Sequence, residues 1–195
     1  MNLTRPEVST TDLAWLHTRL VVDAEAAGLL DLAYRVVDSP VGPLLVAATG
    51  AGIVRVAFAS DGYDDILDDL AARISPRILE APARLDSAAR QLDEYFHGRR
   101  HTFDLPLDLR LATGFRRDVI VHLPTIAYGH TASYAEVAAA SGSPRAVRAV
   151  GTACAKNPLP VIVPCHRVVR SDGGIGQYVG GVDAKRALLQ LESSA

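Results

Sequence analysis

The chain changes texture near residue 111, and that change limits the folds open to it. Between Leu32 and Phe58 three short β-rich runs, LAYRVVDS, PLLVAAT and GIVRVAF, are broken by SPVG and GAG, the punctuation of antiparallel hairpins. The acidic stretch Ser60–Asp69 predicts a solvated loop or a helix start. ARLDSAARQLDEYFHG predicts a helix ending at Gly98. RRHTFDLPLDLR reads as extended, with Pro106 arguing against a central strand. Together these predict a small α+β domain over residues 31–110. His97 and His101 are isolated there, as surface residues would be. Upstream, residues 11–31 have apolar positions at helical spacing, so residues 1–30 are expected to form a helical extension whose role the sequence leaves open.

After LRLATG the spacing becomes helical. FRRDVIVHLPTI predicts one helix. SYAEVAAAS predicts a second, with Ser133 as N-cap and Glu136 completing a capping box. GSP makes a tight turn, and Ser143 is expected to cap a third helix, RAVRAVGTACAKN, with Pro144 in its first position. Helix, short glycine-containing turn and helix outline a helix-turn-helix within a domain spanning 111–195. The third helix is rich in small residues (Ala146, Ala149, Gly151, Thr152 and Ala153), with Arg148 standing among them. Such a face can approach a nucleic-acid groove closely, with the arginine following it or filling a gap in the base stack. Close helix–helix packing would use the same residues.

Bulk properties exclude several classes. No apolar run approaches the ~20 residues that span a bilayer, and MNLTRPEVSTTD lacks the basic-then-apolar order of a secretory signal. Two cysteines eleven positions apart, with no CxxC pair, support neither a disulfide framework nor a zinc site. A reducing, cytoplasmic setting is expected. The net charge of −2 hides an asymmetry. Residues 1–110 carry eleven arginines against seventeen acids, whereas residues 111–195 carry nine bases against five. A modestly basic second half can attract phosphates.

The chemistry concentrates at NPLPVIVPCHRVV. Cys165 follows an apolar run and a proline and precedes His166, as if presented. A free thiol is only a few per cent ionised at neutral pH, so a nucleophilic cysteine needs a base or a favourable field. In an extended chain adjacent side chains diverge, so a turn or a bridging water must connect Cys165 to His166. A carboxylate should hold the base. Asp172, Asp183 and Glu192 are the candidates downstream, the last at the end of the predicted helix VDAKRALLQLE. Between them RSDGGIGQYVGG, with five glycines, could wall a flat pocket or form a solvent-facing loop.

PCHRVV, with NPLPVIV and GSPRAVRAVGTA before it and GQYVGG and KRALLQLE after it, resembles the methylated-DNA–protein-cysteine methyltransferases, the O6-alkylguanine-DNA alkyltransferase family. The likeness is collinear over Phe115–Glu192 and looser over DSPVGPLLVAAT and QLDEYFHGRRHTFDLPLDL. It implies an N-terminal ribonuclease H-like domain with a small antiparallel sheet and a C-terminal, mostly helical, winged helix-like domain. It also implies that Cys165 accepts the alkyl group, His166 is a base acting through water, Glu192 orients it, and Asn157 braces the turn before the cysteine. Tyr134 would help rotate the base and donate a hydrogen bond to it, and Arg148 would enter the stack. Ser143, Ala146, Ala149 and Gly151 would lie along the DNA. Tyr178, with Val168, Gly176, Gln177 and Val179, would form the base pocket. The expected partner is double-stranded DNA containing O6-alkylguanine, bound by a monomer with no cofactor, no metal and no membrane.

Several residues depart from the family pattern. Val119-Ile120 stands where Val-Trp is usual, and Gln177 and Val179 stand where smaller residues or asparagine are common. Competing expectations are a non-catalytic alkylated-DNA-binding protein, a cysteine hydrolase, and a damage-sensing regulator. The first would lack the acceptor cysteine, and the second would leave the groove-reading helix unexplained.

Overall fold

The computed structural model describes residues 9–193; residues 1–8 of the expected extension and 194–195 of the expected C-terminal domain lie outside them. Helix α1 (Thr10–Ala26) begins at Ser9, whose hydroxyl accepts from the Asp12 amide in a capping box, and buries none of its residues. Trp15, Leu13, Leu16 and Leu20 are all more than half exposed. His17 Nε2 donates to the Glu80 carbonyl at 2.6 Å and Glu25 pairs with Arg84 at 3.7 Å, tying the helix to the domain that follows.

Strands β1 (Leu32–Val37), β2 (Leu44–Thr49) and β3 (Gly52–Phe58) form the expected antiparallel meander. Helix α2 (Tyr63–Arg73) then carries the chain to the far edge, where β4 (Ile78–Glu80) pairs with β1 in parallel. The sheet, in order β3-β2-β1-β4, is therefore mixed, because a strand reached by a helical crossover arrives in the same direction as its neighbour. β2 is buried at every position, the mark of a strand covered on both faces. Leu45 and Ala47 meet Ile66 and Leu70 of α2, while Leu44 and Val46 face the larger core shared with α3 (Asp86–Phe96) and the C-terminal half. Pro106 lies outside the sheet's centre as expected: its carbonyl accepts from Ile53, and Asp108 donates back to Ile53 at the β3 edge.

In the second half, α4 (Phe115–His122), α5 (Tyr134–Ala140) and α6 (Val147–Ala155) pack together, with Val119 and Ile120 buried among them. Ile120 thus helps fill the interior between these helices. Ser133 caps α5 with Glu136 reciprocating. Ser143 does not cap α6. The helix starts at Val147 after Ala146, and the Ser143 carbonyl instead accepts from the Ala146 amide at 2.8 Å. Pro144 and Arg145 occupy the middle of that turn, where a proline's fixed φ is favourable. Strands β5 (Ala132–Ser133) and β6 (Val168–Val169) pair in parallel and bring the start of α5 beside the segment after Cys165. The last helix, α7 (Gly181–Ser193), closes the domain. Among the described residues, no helix is long and apolar enough to cross a membrane.

Candidate active site

The approach to Cys165 is a buried loop held at both ends. Asn157 Nδ2 donates to the Val163 carbonyl (2.9 Å) and to Cys165 Sγ (3.1 Å), and its Oδ1 accepts from the Leu159 amide (2.9 Å). Val56 of β3 donates to the Pro158 carbonyl at 2.8 Å, fastening the loop to the sheet. Within it Val161 has φ +71°, a left-handed conformation that β-branched residues avoid. Such a conformation costs on the order of 1–3 kcal/mol and persists only where the surroundings over-determine it. The chain then enters a single 3₁₀ turn, Cys165–Arg167. That turn supplies the bend which an extended segment would lack.

His166 is fully buried, and its Nε2 lies 2.8 Å from Glu192 Oε1. An ionised carboxylate only accepts, so Nε2 carries the hydrogen and Nδ1 the lone pair. That Nδ1 is buried without a hydrogen-bond partner among the described residues. Glu192 is bound from several sides: Arg167 donates through Nε to Oε2 (2.8 Å) and through Nη2 to Oε1 (2.9 Å), Tyr95 Oη donates to Oε1 (2.7 Å), and the Gly129 amide donates to Oε2 (3.3 Å). Burial alone would raise the carboxyl, but the His166 and Arg167 hydrogen bonds hold it at about 2. Burial lowers the His166 pKa, outweighing the opposing pull of Glu192, so the imidazole is neutral at physiological pH. Burial likewise pushes the Cys165 thiol up to about 11, against the hydrogen bond from Asn157 and the charge of Lys185. The sulfur is therefore a protonated thiol in the free protein, not a standing thiolate.

Asp172 and Asp183 take no part. They pair at the surface with Arg170 and Arg186. Tyr134 is half-buried beside the glycine segment; a Cβ on Gly176 would stand 2.9 Å from its hydroxyl. Burial raises its pKa, followed by the Cys154 and Cys165 thiols, so the hydroxyl remains a donor. Tyr178 is turned inward, edge-on to His166 (centroids 6.2 Å, 89°) and to Phe58 (5.8 Å, 77°). Val168 is buried and gives its carbonyl to Lys185, Val179 is half-buried, and Gln177 is exposed. On α6 the exposed residues are Val147, Arg148, Ala149, Thr152 and Ala155, with Gly151 half-buried, while Val150, Ala153 and Cys154 face inward. The outer face is thus small-residued with one arginine at its head. Among the described residues, Arg55, Arg116, Arg117, Arg145, Arg148, Lys156 and Lys185 have no ion-pair partner.

This arrangement can be set beside known proteins. Residues 32–109 match the family model of the 6-O-methylguanine DNA methyltransferase ribonuclease-like domain, and residues 114–194 match that of the DNA binding domain. The chain belongs to the 6-O-methylguanine DNA methyltransferase family. It is 42% identical over 161 residues (83% of this chain, 92% of the relative) to a methylated-DNA–protein-cysteine methyltransferase of Mycobacterium tuberculosis, and 39% identical over 160 residues (82% and 94%) to the constitutive enzyme of Bacillus subtilis. The crystal structure of the Mycobacterium tuberculosis O6-methylguanine methyltransferase superposes with a TM-score of 0.74 at 40% identity, covering 84% of this chain and 93% of that one. A structure of the same organism's protein in complex with DNA gives 0.72 at 41% identity, covering 83% and 93%.

Three residues of this methyltransferase's site escape sequence reasoning. Arg167 sits inside the PCHRVV motif but reads as a surface charge until its burial is seen. Lys185 is fully buried, its Nζ donating to the Val168 carbonyl at 2.6 Å and lying 6.0 Å from the Tyr134 ring centroid. Tyr95 is ninety-seven positions from Glu192 and looks like one more apolar residue of an amphipathic helix.

Proposed function

We propose that Cys165 is the acceptor to which the alkyl group of O6-alkylguanine passes, with His166 as base and Glu192 as the carboxylate that orients it. The chain is a methylated-DNA–protein-cysteine methyltransferase: it repairs DNA by moving an alkyl group onto one of its cysteines. One observation carries the residue assignment. A neutral, buried imidazole has one nitrogen fixed to a carboxylate and the other free, next in sequence to a buried thiol that Asn157 holds through its sulfur.

The chemistry follows from these groups. The thiol is protonated at rest, so its proton must leave as the sulfur attacks. His166 Nδ1 takes it through a bridging water, and Glu192 stabilises the imidazolium that results. The sulfur displaces the alkyl carbon in line; a C–S bond forms and the C–O6 bond breaks. Charge developing on guanine is met by the Tyr134 hydroxyl, and the imidazolium passes the former thiol proton to the departing guanine, so the imidazole is neutral again and both products are neutral. A thioether has no good leaving group, so each molecule acts once. A base inside a duplex is out of reach of a buried sulfur, so it must be swung out, at a cost of a few kcal/mol. The small outer face of α6 lets the helix lie close in the groove, and Arg148 fills the vacated stack. A monomer suffices, since every group named comes from one chain.

Incubation with a duplex carrying O6-methylguanine, followed by intact-mass measurement, tests this. A single methyl adduct mapped to Cys165, with equimolar loss of the lesion, is expected, and Cys165→Ala should abolish it while DNA binding persists. Turnover beyond one equivalent, or an adduct elsewhere, would overturn the assignment.

A further inference from the structure

We propose that Tyr95 is a positioning residue of the transfer reaction, through which the N-terminal domain sets the hydrogen bonding of the Glu192–His166 pair. The proposal rests on Cys165, His166 and Glu192 acting as described above.

Tyr95 belongs to α3, in the N-terminal half of the chain, whereas Cys165, His166 and Glu192 all lie in the C-terminal half. It is fully buried, yet its hydroxyl donates at 2.7 Å to Glu192 Oε1, the same oxygen that accepts from His166 Nε2 at 2.8 Å. The hydroxyl also stands 3.5 Å from that nitrogen. The ring is fixed by Phe96 and Phe103, with centroids at 5.3 Å each, and by Tyr128 at 6.1 Å. Packing alone would be served by phenylalanine. A buried phenol costs free energy unless it is paired, and here its partner is the site's carboxylate.

The consequence is a matter of competition for lone pairs. A carboxylate offers about four acceptor sites, and five donors crowd onto Glu192: Tyr95, His166 and Nη2 of Arg167 on Oε1, and Nε of Arg167 and the Gly129 amide on Oε2. The carboxylate cannot rotate, so the imidazole is aimed. The density drawn by Tyr95 is also withheld from His166. Without the phenol, Oε1 holds the Nε2 hydrogen more strongly and the imidazole becomes more basic. His166 then stays protonated to higher pH and cannot accept the thiol proton there. The other titratable or charged groups facing this pair are Arg167, Tyr128, Tyr178, Cys165 and Lys185, and none of them is altered by removing one hydroxyl.

Tyr95→Phe keeps the ring. Its single-turnover transfer rate on an O6-methylguanine duplex should be measured from pH 5.5 to 9, with duplex affinity and Tm in parallel. The expected result is a loss of roughly tenfold at pH 6 that narrows to roughly threefold or less at pH 8.5, with affinity unchanged. The acidic limb then lies at higher pH than in the wild type. Site-specific 3-fluorotyrosine at position 95, a stronger donor of nearly the same shape, should move that limb to lower pH, and it keeps the test decisive if the phenylalanine variant folds poorly. A profile that superimposes on the wild type, or a loss that is uniform across pH and tracks Tm, overturns the proposal. The underlying reading fails separately, if Cys165→Ala still takes up the methyl group.

Discussion

At the scale of single residues, the site stores a thiol rather than a thiolate. Cys165 titrates at about 11 because it is buried, so a small alkylating reagent, which brings no base and meets a closed site, is a poor substrate for it. Iodoacetamide should modify Cys165 more slowly than free cysteine at pH 7.5, with a rate that climbs as pH rises toward about 11, as peptide mapping would show. Rapid labelling at neutral pH would contradict the burial argument. Glu192 behaves in the opposite sense. Its folded carboxyl sits at about 2, below its ordinary 4.5. The stability it contributes is full above 4.5 and drains as pH falls toward 2. Glu192→Gln should therefore lower Tm clearly at pH 7, and the gap to wild type should narrow below pH 4.5 and close only as pH falls through about 2.

Among the elements, the loop before Cys165 and the helix α6 separate two jobs. The loop is a stability problem. Asn157 satisfies two backbone groups and the sulfur around a strained Val161, so Asn157→Ala leaves buried partners unpaired and should cost about 2 kcal/mol in denaturant unfolding. Helix α6 is a surface problem. Arg148 is exposed, so Arg148→Ala should leave Tm within a degree or two of wild type while slowing transfer from duplex DNA. An unchanged duplex rate would remove the arginine from the stack-filling role. These elements were legible in the sequence for different reasons. Capping at Ser133 and the small face of α6 are local signals, carried by neighbours in the chain. Ser143 misled because a Ser-Pro pair reads equally well as a helix start or as a turn. The parallel β4 left no mark, since three residues carry no periodicity.

For the whole molecule, what the sequence concealed is contact between its halves. The motif around Cys165 points to the proposed acceptor and base, but the Tyr95–Glu192 bond joins positions ninety-seven apart, and no short-range pattern encodes it. The same holds for Gly180, where an added Cβ would meet the Phe58 ring at 2.5 Å. Phe58 ends β3 and is itself buried, so the ring cannot swing away without opening the seam between the domains. Gly180→Ala should cost on the order of 1–3 kcal/mol and slow transfer without touching any reacting atom; a Tm equal to wild type would show that the seam yields.

The order of synthesis gives the place of Glu192 a further meaning. Cys165 and His166, the proposed acceptor and base, leave the ribosome some twenty-six residues ahead of Glu192, which hydrogen-bonds the imidazole. On the proposed roles, a nascent or prematurely stopped polypeptide bears the thiol and the imidazole without the carboxylate that aims the latter, and docking of α7 completes the set.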